Sequence, residues 1–374
     1  MSYPTIRTAG DTAVKVVVVN GGGYANLSGA VANVRTFGAR GDGITNDTAA
    51  IEEARDALLE TGGTIYLPGG QYLIDPIEIT NTSSSDSGPR ISIQGDGMNT
   101  TRILLRTGEE PAFTISGNET PGTAGVHSRQ YIHDLTINRA DTSVIGVGLF
   151  IKDCAYMNLS RVYIGGFQVG LTGQDMLSSK IDNCQFSGNN QGIRCSYGGG
   201  SYSSGPNAIG IYQTVISSNN QFGAYFEGPS NVSIFGGSIE VNGIYSPLAA
   251  SERFGIKLDN SGLYGAAGLS INGTYLEYNG GTADIWLVAS TQEAAHSIIG
   301  CSFVRMTDAA YTQHNILVQA DGSLRAPVNV IGCGFKPAAG YVPSADRKCI
   351  VTSGSGAVLA GMGNLFSSSV EAYP

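Results

Sequence analysis

Eight times along the chain one short phrase returns: an apolar residue, two of any kind, a small or apolar one, one more, then another apolar residue ahead of polar turn residues. The copies begin at Ile132 (IHDLTI), Leu159 (LSRVYI), Ile181 (IDNCQF), Ile211 (IYQTVI), Ile234 (IFGGSI), Ile271 (INGTYL), Ile298 (IIGCSF) and Val330 (VIGCGF), spaced 22 to 37 residues apart. A fixed phrase at a variable period is what a solenoid produces when its coils are uniform and its loops differ in length. A second apolar stretch follows each copy, at GLFI (148), GLTG (170), GIRC (192), GAYF (223), GIKL (255), DIWL (284), NILV (315) and CIVT (349). Strand alternation puts Leu149, Ile193, Ala224, Ile256, Ile285, Ile316 and Ile350 inside, and Phe150, Arg194, Tyr225, Lys257, Trp286 and Leu317 outside. Two strands per coil, stacked in register about 4.8 Å apart, make an all-β parallel β-helix, and roughly ten coils give a rod on the order of 50 Å long.

Composition agrees. Among 374 residues, 53 are glycine and only 14% are charged, which favours many short strands and turns, while 41% hydrophobic residues supply a core. The net charge of -9, with no basic stripe, excludes a nucleic-acid partner. The N-terminus lacks the basic start, apolar segment and cleavage site of a signal peptide, and no run reaches membrane-spanning length. Synthesis in the cytoplasm without a signal peptide, and no membrane insertion, are the expectations. The cysteines (Cys154, Cys184, Cys195, Cys301, Cys333, Cys349) and histidines (His127, His133, His296, His314) show no metal-ligand spacing, so no metal and no cofactor is expected. The cysteines read as buried thiols. Cys184, Cys301 and Cys333 share one inward column, and a Cys301–Cys333 disulfide is not expected in the cytoplasm.

Asn189, Asn219, Asn242 and Asn279 fall in one column over four coils, where stacked amides can bond along the axis at a turn. The front of the chain differs. Residues 33–75 hold a Gly-rich turn and an amphipathic helix with Asp47 or Thr48 as N-cap, Ile51, Ala54 and Leu58 on one face, and Gly62 just past its end. Such a helix closes the open end of a rod. Asp42, Asn46 and Asp47 are explained by turn and cap bonding rather than by catalysis. The expected divisions are a β-prone segment over 1–32, the cap over 33–75, the β-helix over 76–366 and a tail over 367–374.

The stretches FGARGDGITNDTAAI (37–51) and GGTIYLPGGQYLI (62–74) resemble the N-terminal signature of the pectate-lyase-like, single-stranded right-handed β-helix superfamily, in particular its phage tailspike and phage-like particle spike branch. The general resemblance extends to about residue 366. It implies the fold, while binders, lyases and glycosidases all share it. The Gly-His-Gly and Arg-Ile-Lys motifs of polygalacturonase-type members are missing, which argues against pectin hydrolysis. The resemblance further implies a parallel homotrimer and attachment of residues 1–32 to a particle protein. An extra strand packed on the cap is the other reading of that segment. Apolar residues at outward positions, Val215, Ile299, Leu317, Ile331 and Val351, agree with an oligomer interface.

The phrases GSIEVNGIY (237–245) and GTYLEYNGG (273–281) place Glu240 and Glu277 in the same slot, so they stack on adjacent coils. Two carboxylates about 5 Å apart repel by about 1 to 3 kcal/mol, which suggests a use. Glu227 and Asp259 form a second adjacent pair. These four are the candidate catalytic residues, as acid and as base or nucleophile of a glycosidase. Tyr225, Tyr275, Tyr278 and Trp286 are expected near them as stacking surfaces for sugar rings, with Lys257 and Arg305 as candidate substrate-binding cations. The alternative is that the acids are solvated turn residues and the aromatics lie in a subunit interface. A lyase would need a base and a cation, which no arrangement here singles out. The functional expectation is a trimeric spike or fibre protein that binds bacterial cell-surface polysaccharide for host attachment, assembled into a phage or phage-like particle. The alternative is a depolymerase, a glycoside hydrolase before a lyase, acting on capsule or O-antigen.

Overall fold

The computed structural model describes residues 31–366 except 81–88, 107, 118–128, 199–204, 229–230, 261–267, 290–294, 306–313, 321–324 and 338–347, together with three strands between residues 5 and 26. From Ile181 onward each of the six repeated phrases proves to be two strands rather than one, while the first two copies run through the bend within the strands Tyr131–Arg139 and Asn158–Gly165. In one coil Asn231–Phe235 runs along a first face, the chain bends, Ser238–Glu240 runs along a second, and Phe254–Asp259 along a third. The bend explains the phrase. Its first position is apolar and its fourth small or apolar, a spacing a straight strand cannot bury on one side, and the residue before the fourth turns the corner with positive φ. Asp134, Arg161, Asn183 and Gln213 take that conformation in the first four copies, and Gly236, Gly273, Gly300 and Gly332 in the last four. A coil therefore has three strands, not the expected two.

Stacking in the rod is parallel and in register, apart from a register shift between Asp42 and Asn46 next to the cap. The third face is a ten-stranded sheet from Ile77–Thr80 to Ile350–Ser353, and the first two faces join into one larger sheet. The result is a single-stranded right-handed parallel β-helix, the hand that parallel crossovers take. Its core is built of columns. Ile211, Ile234, Ile271 and Ile298 descend from the first face, Ile216, Ile239 and Leu276 from the second, and Ile193, Ala224, Ile256 and Ile285 from the third, all buried. Phe303, Phe335 and Phe366 stack face to face with centroids 4.8 and 4.9 Å apart, the strand spacing itself. The cysteines are buried thiols, and burial pushes those of Cys184, Cys195 and Cys349 up to about 12.

The capping helix spans Thr48–Leu58 and buries Ala50, Ile51, Ala54 and Leu58. Asp47 stands at the N-cap position, but its carboxylate accepts from the Arg40 and Gly41 N–H groups at 2.7 and 2.9 Å instead of capping. Asn46 accepts the Thr48 N–H in its place, at 3.1 Å. Thr5–Arg7, Ala13–Val19 and Gly23–Asn26 form a separate antiparallel sheet, unlike the parallel rod. The expected tail, 367–374, lies outside the described residues. No helix among the described residues is long and apolar enough to cross a membrane.

Candidate functional site

The corner between the second and third faces is fixed by the asparagine column. Asn189, Asn219 and Asn242 each donate from Nδ2 to the Oδ1 of the next asparagine, at 3.2, 2.8 and 2.9 Å, and each amide also binds a backbone carbonyl of the neighbouring coil. Opposite the amides stands a column of glycines, Gly148, Gly170, Gly192, Gly223 and Gly255, each the second residue of its third-face strand. A Cβ on Gly192, Gly223 or Gly255 would lie 2.9 to 3.1 Å from an asparagine Nδ2. The third face therefore starts from a rigid edge.

Along that face Arg194, Tyr225, Lys257, Trp286 and Leu317 occupy one outward column in register. The Lys257 ammonium sits 4.2 Å from the Trp286 ring centroid and 5.5 Å from that of Tyr225. It also pairs with Asp259 at 2.8 Å. The Tyr225 hydroxyl donates to the same carboxylate at 3.3 Å, and Trp286 Nε1 donates to Gln319 Oε1 at 2.5 Å. Phe222 and Phe254 stack at 4.8 Å and meet Tyr225 edge-on. Burial, then the Asp259 and Glu227 charges, push the Tyr225 phenol well above its ordinary value, so it stays a neutral donor. Beside this cluster lies a groove of about 190 Å³, lined by Tyr225, Lys257, Phe222, Phe254, Arg194, Gln191, Gln221 and Glu252.

Glu240 and Glu277 lie elsewhere, on the second face. They are direct strand partners, and so are Ser238 and Tyr275 two residues upstream. The Ser238 hydroxyl donates to Glu240 Oε1 at 3.2 Å. Tyr275 is 37% exposed, and desolvation, then the neighbouring Glu277 carboxylate, pushes its phenol up to about 12. Among the described residues neither glutamate makes an ion pair. The array is thus two carboxylates on adjacent coils, one of them held from its own strand by the Ser238 hydroxyl.

The expected residues accordingly fall into two groups. Tyr275 belongs with Glu240 and Glu277, and Tyr278 follows Glu277 in a positive-φ turn. Tyr225, Lys257 and Trp286 lie on the third face with the Glu227–Asp259 pair. Trp286 points outward from the coil as expected, yet it is only 9% exposed, because Lys257, Phe254 and Leu317 pack over it. Asp259 is 7% exposed and tied to Lys257, which makes it an ion-pair partner rather than an open acid. Arg305 is buried at the second corner, donating to the Lys348 carbonyl at 3.1 Å. Sequence reasoning passed over Gln191, Gln221, Phe222, Glu252 and Phe254. The repeated Phe-Gly in QFGAYF (221–226) and RFGIKL (253–258) was the available signal for the two phenylalanines.

The profile of the family described as "Rhamnogalacturonase A/epimerase, pectate lyase-like" matches residues 31–240, more than half of the chain. Depolymerase 1, capsule KN3-specific, of Klebsiella phage KN3-1 is 32% identical over 160 residues, covering 40% of this chain and 20% of that protein. The chain therefore spans about a fifth of that relative. Among solved structures, full-length tailspike protein 2 of Escherichia coli O157:H7 bacteriophage CAB120 superposes with a TM-score of 0.63 at 15% identity, over 96% of this chain and 44% of that one. The mannuronan C-5 epimerase AlgE4 A-module of Azotobacter vinelandii gives a TM-score of 0.55 at 18% identity, over 91% and 99%. At these identities the two structures are alike in fold.

Proposed function

Because this chain belongs to the rhamnogalacturonase A/epimerase, pectate lyase-like family, we propose that it is the β-helix of a phage or phage-like particle spike that binds bacterial surface polysaccharide along its third face. The observation that carries this is the groove beside Tyr225, where aromatic rings, two cations and side-chain amides meet on a rigid sheet. Sugar rings offer exactly the mixture such a surface matches: apolar C–H faces for rings, hydroxyls for amides and charged groups. The capsule-specific phage depolymerase and the phage tailspike among its relatives support the same reading. In this account the spike is a homotrimer that assembles into the particle, attached through residues 1–32. Ile299, Ile331 and Met362, aligned on the first face with Ile331 and Met362 exposed, are its proposed subunit contact.

A second reading, that the spike also cleaves the polymer, is favoured by Glu240 and Glu277. Adjacent coils set their backbones about 4.8 Å apart, compatible with the roughly 5–5.5 Å between the carboxyl groups of a retaining glycosidase. Reducing ends released from purified capsular and O-antigen polysaccharides by the wild type, Glu240→Gln and Glu277→Gln, with polymer binding recorded alongside, test both readings. Loss of cleavage with binding kept identifies a depolymerase. Binding with no new ends in any sample leaves an adhesive spike, and absence of binding to every surface polysaccharide contradicts the proposal.

A further inference from the structure

The position after each bend lies at the corner between the first and second faces. Down the rod this column reads Val162, Cys184, Thr214, Gly237, Thr274, Cys301, Cys333 and Asn364. Valine, threonine, glycine and asparagine all fill it, so packing alone does not call for sulfur on two successive coils. Cys301 and Cys333 are those two. The Gly334 N–H donates to the Cys301 carbonyl at 2.9 Å, and Ser302 and Phe303 pair with Gly334 and Phe335. That register sets the two Cα atoms about 4.8 Å apart, inside the roughly 4.4–6.8 Å that a disulfide spans. The Cys333 sulfur leans toward the Cys301 coil, 3.5 Å from the Ile298 carbonyl oxygen. The two thiols also act on each other: that of Cys301 holds Cys333 below its ordinary value, while Cys333 and burial raise Cys301. One member is thereby favoured as thiolate and the other kept as thiol. By contrast, Cys184 lies between Val162 and Thr214, and Cys195 between Gly173 and Phe226. Burial keeps both protonated.

We propose that Cys301 and Cys333 are a redox-active dithiol, closed by hydrogen peroxide into a disulfide that staples two neighbouring coils near the C-terminal end of the rod. The Cys333 thiolate attacks one peroxide oxygen: an S–O bond forms, the O–O bond breaks, and the departing hydroxide takes up the proton that Cys333 released. The Cys301 sulfur then attacks the sulfenic sulfur, forming the S–S bond and expelling the oxygen as water with the Cys301 proton. Two thiols are oxidised and one peroxide is reduced to two waters. Both sulfurs belong to residues only 1% exposed, so the oxidant has to be small and to enter through local opening of the bends. Gly300 and Gly332, the bends ahead of the cysteines, have nothing within 4 Å of where a Cβ would stand, which leaves their outer side clear. The strand spacing exceeds the roughly 3.5–4.5 Å between the Cβ atoms of a relaxed disulfide, so the staple is strained and a thiol reductant reopens it. Neither cysteine lines the groove, and the dithiol stands or falls apart from the polysaccharide reading.

The test is peptide mapping by mass spectrometry, without reduction, of the full chain treated with hydrogen peroxide and then alkylated. Cys301 and Cys333 are expected in one cross-linked peptide pair, formed at least about tenfold faster than Cys184 or Cys195 is oxidised and reopened by dithiothreitol. The oxidised chain should melt at a higher temperature than the reduced one. In Cys301→Ser the reaction stops at Cys333, whose sulfenic acid is trapped by dimedone, whereas Cys333→Ser leaves none to trap on Cys301. The wild-type map decides even where a variant fails to fold. Absence of a Cys301–Cys333 link, or oxidation of Cys184 and Cys195 at the same rate, overturns the proposal. A link that leaves the melting temperature unchanged contradicts the staple, and trapping on Cys301 in place of Cys333 contradicts the assignment of the thiolate.

Discussion

Asn279 ends the amide ladder on Asp284: its Nδ2 donates to Asp284 Oδ1 at 3.0 Å, and Asn315 donates to the other oxygen at 2.7 Å from the far side. Every amide in the column passes its donor in one direction, so the last one needs an acceptor that returns no donor of its own. A carboxylate meets that need. Asp284→Asn would set an NH2 against one of the two donors, in a site that is almost fully buried. The expected cost is about 2 kcal/mol, read as a lowered denaturation midpoint; an unchanged midpoint contradicts the ladder's polarity.

Glycines in the third-face strands and in the bends have different reasons to be glycine. A Cβ on Gly223 would lie 2.5 Å from the Gly255 carbonyl oxygen and 3.0 Å from Asn242 Nδ2, so Gly223→Ala should destabilise by about 2 kcal/mol or more. Gly300 has open space around it and only a positive φ of 61°. Asn183 holds the equivalent bend position at φ 52°, so Gly300→Asn should change stability by less than about 1 kcal/mol. Equal effects of the two substitutions in thermal denaturation would refute the distinction.

Stability should fall in acid in two steps. His296, 3% exposed, accepts the Leu269 N–H on Nδ1, and burial lowers its pKa from 6.5 to about 4. The unfolded chain binds its proton first, so this contribution is complete above pH 6.5 and lost as pH falls toward 4, amounting to about 3 kcal/mol. Burial lowers His314 as well, adding to the same limb. Asp134, bonded by Arg161 and His133, is lowered from 3.8 to about 2, and its contribution is lost over that lower window. His296→Gln should flatten the upper limb by the His296 share and leave the lower one; an unaltered upper limb would rule out His296 as its source.

Lys257 and Asp259 should behave as a coupled pair. Lys257→Met leaves a nearly buried carboxylate without its cation and is expected to cost about 3 kcal/mol. Adding Asp259→Asn should recover most of that loss. A double-mutant cycle in chemical denaturation checks it, and purely additive losses would mean that the pair is not coupled.

The fold was legible because stacking repeats the same demand on every coil: apolar columns, the asparagine ladder and the capping helix each leave a periodic trace. The site was less legible. The phrase hides its own corner, since one left-handed residue such as Gln213 or Gly236 looks like any other polar or small position, and so the face of each strand was not assigned. That is why Glu240 and Glu277 were expected beside Tyr225 and Trp286, although the corner at Asn242 and Asn279 puts them on different faces. The burial of Trp286 and Arg305 depends on neighbours from other coils, and so does the pairing of Gln191 with Gln221. Neither leaves a pattern in a single strand.

The central claim is that the third face holds a bacterial surface polysaccharide. Equilibrium binding of a panel of purified capsular and O-antigen polysaccharides to the wild type and Tyr225→Ala tests it most directly. The account predicts one polymer class bound by the wild type and at least about tenfold weaker binding by a folded Tyr225→Ala; binding by the variant equal to that of the wild type would contradict it.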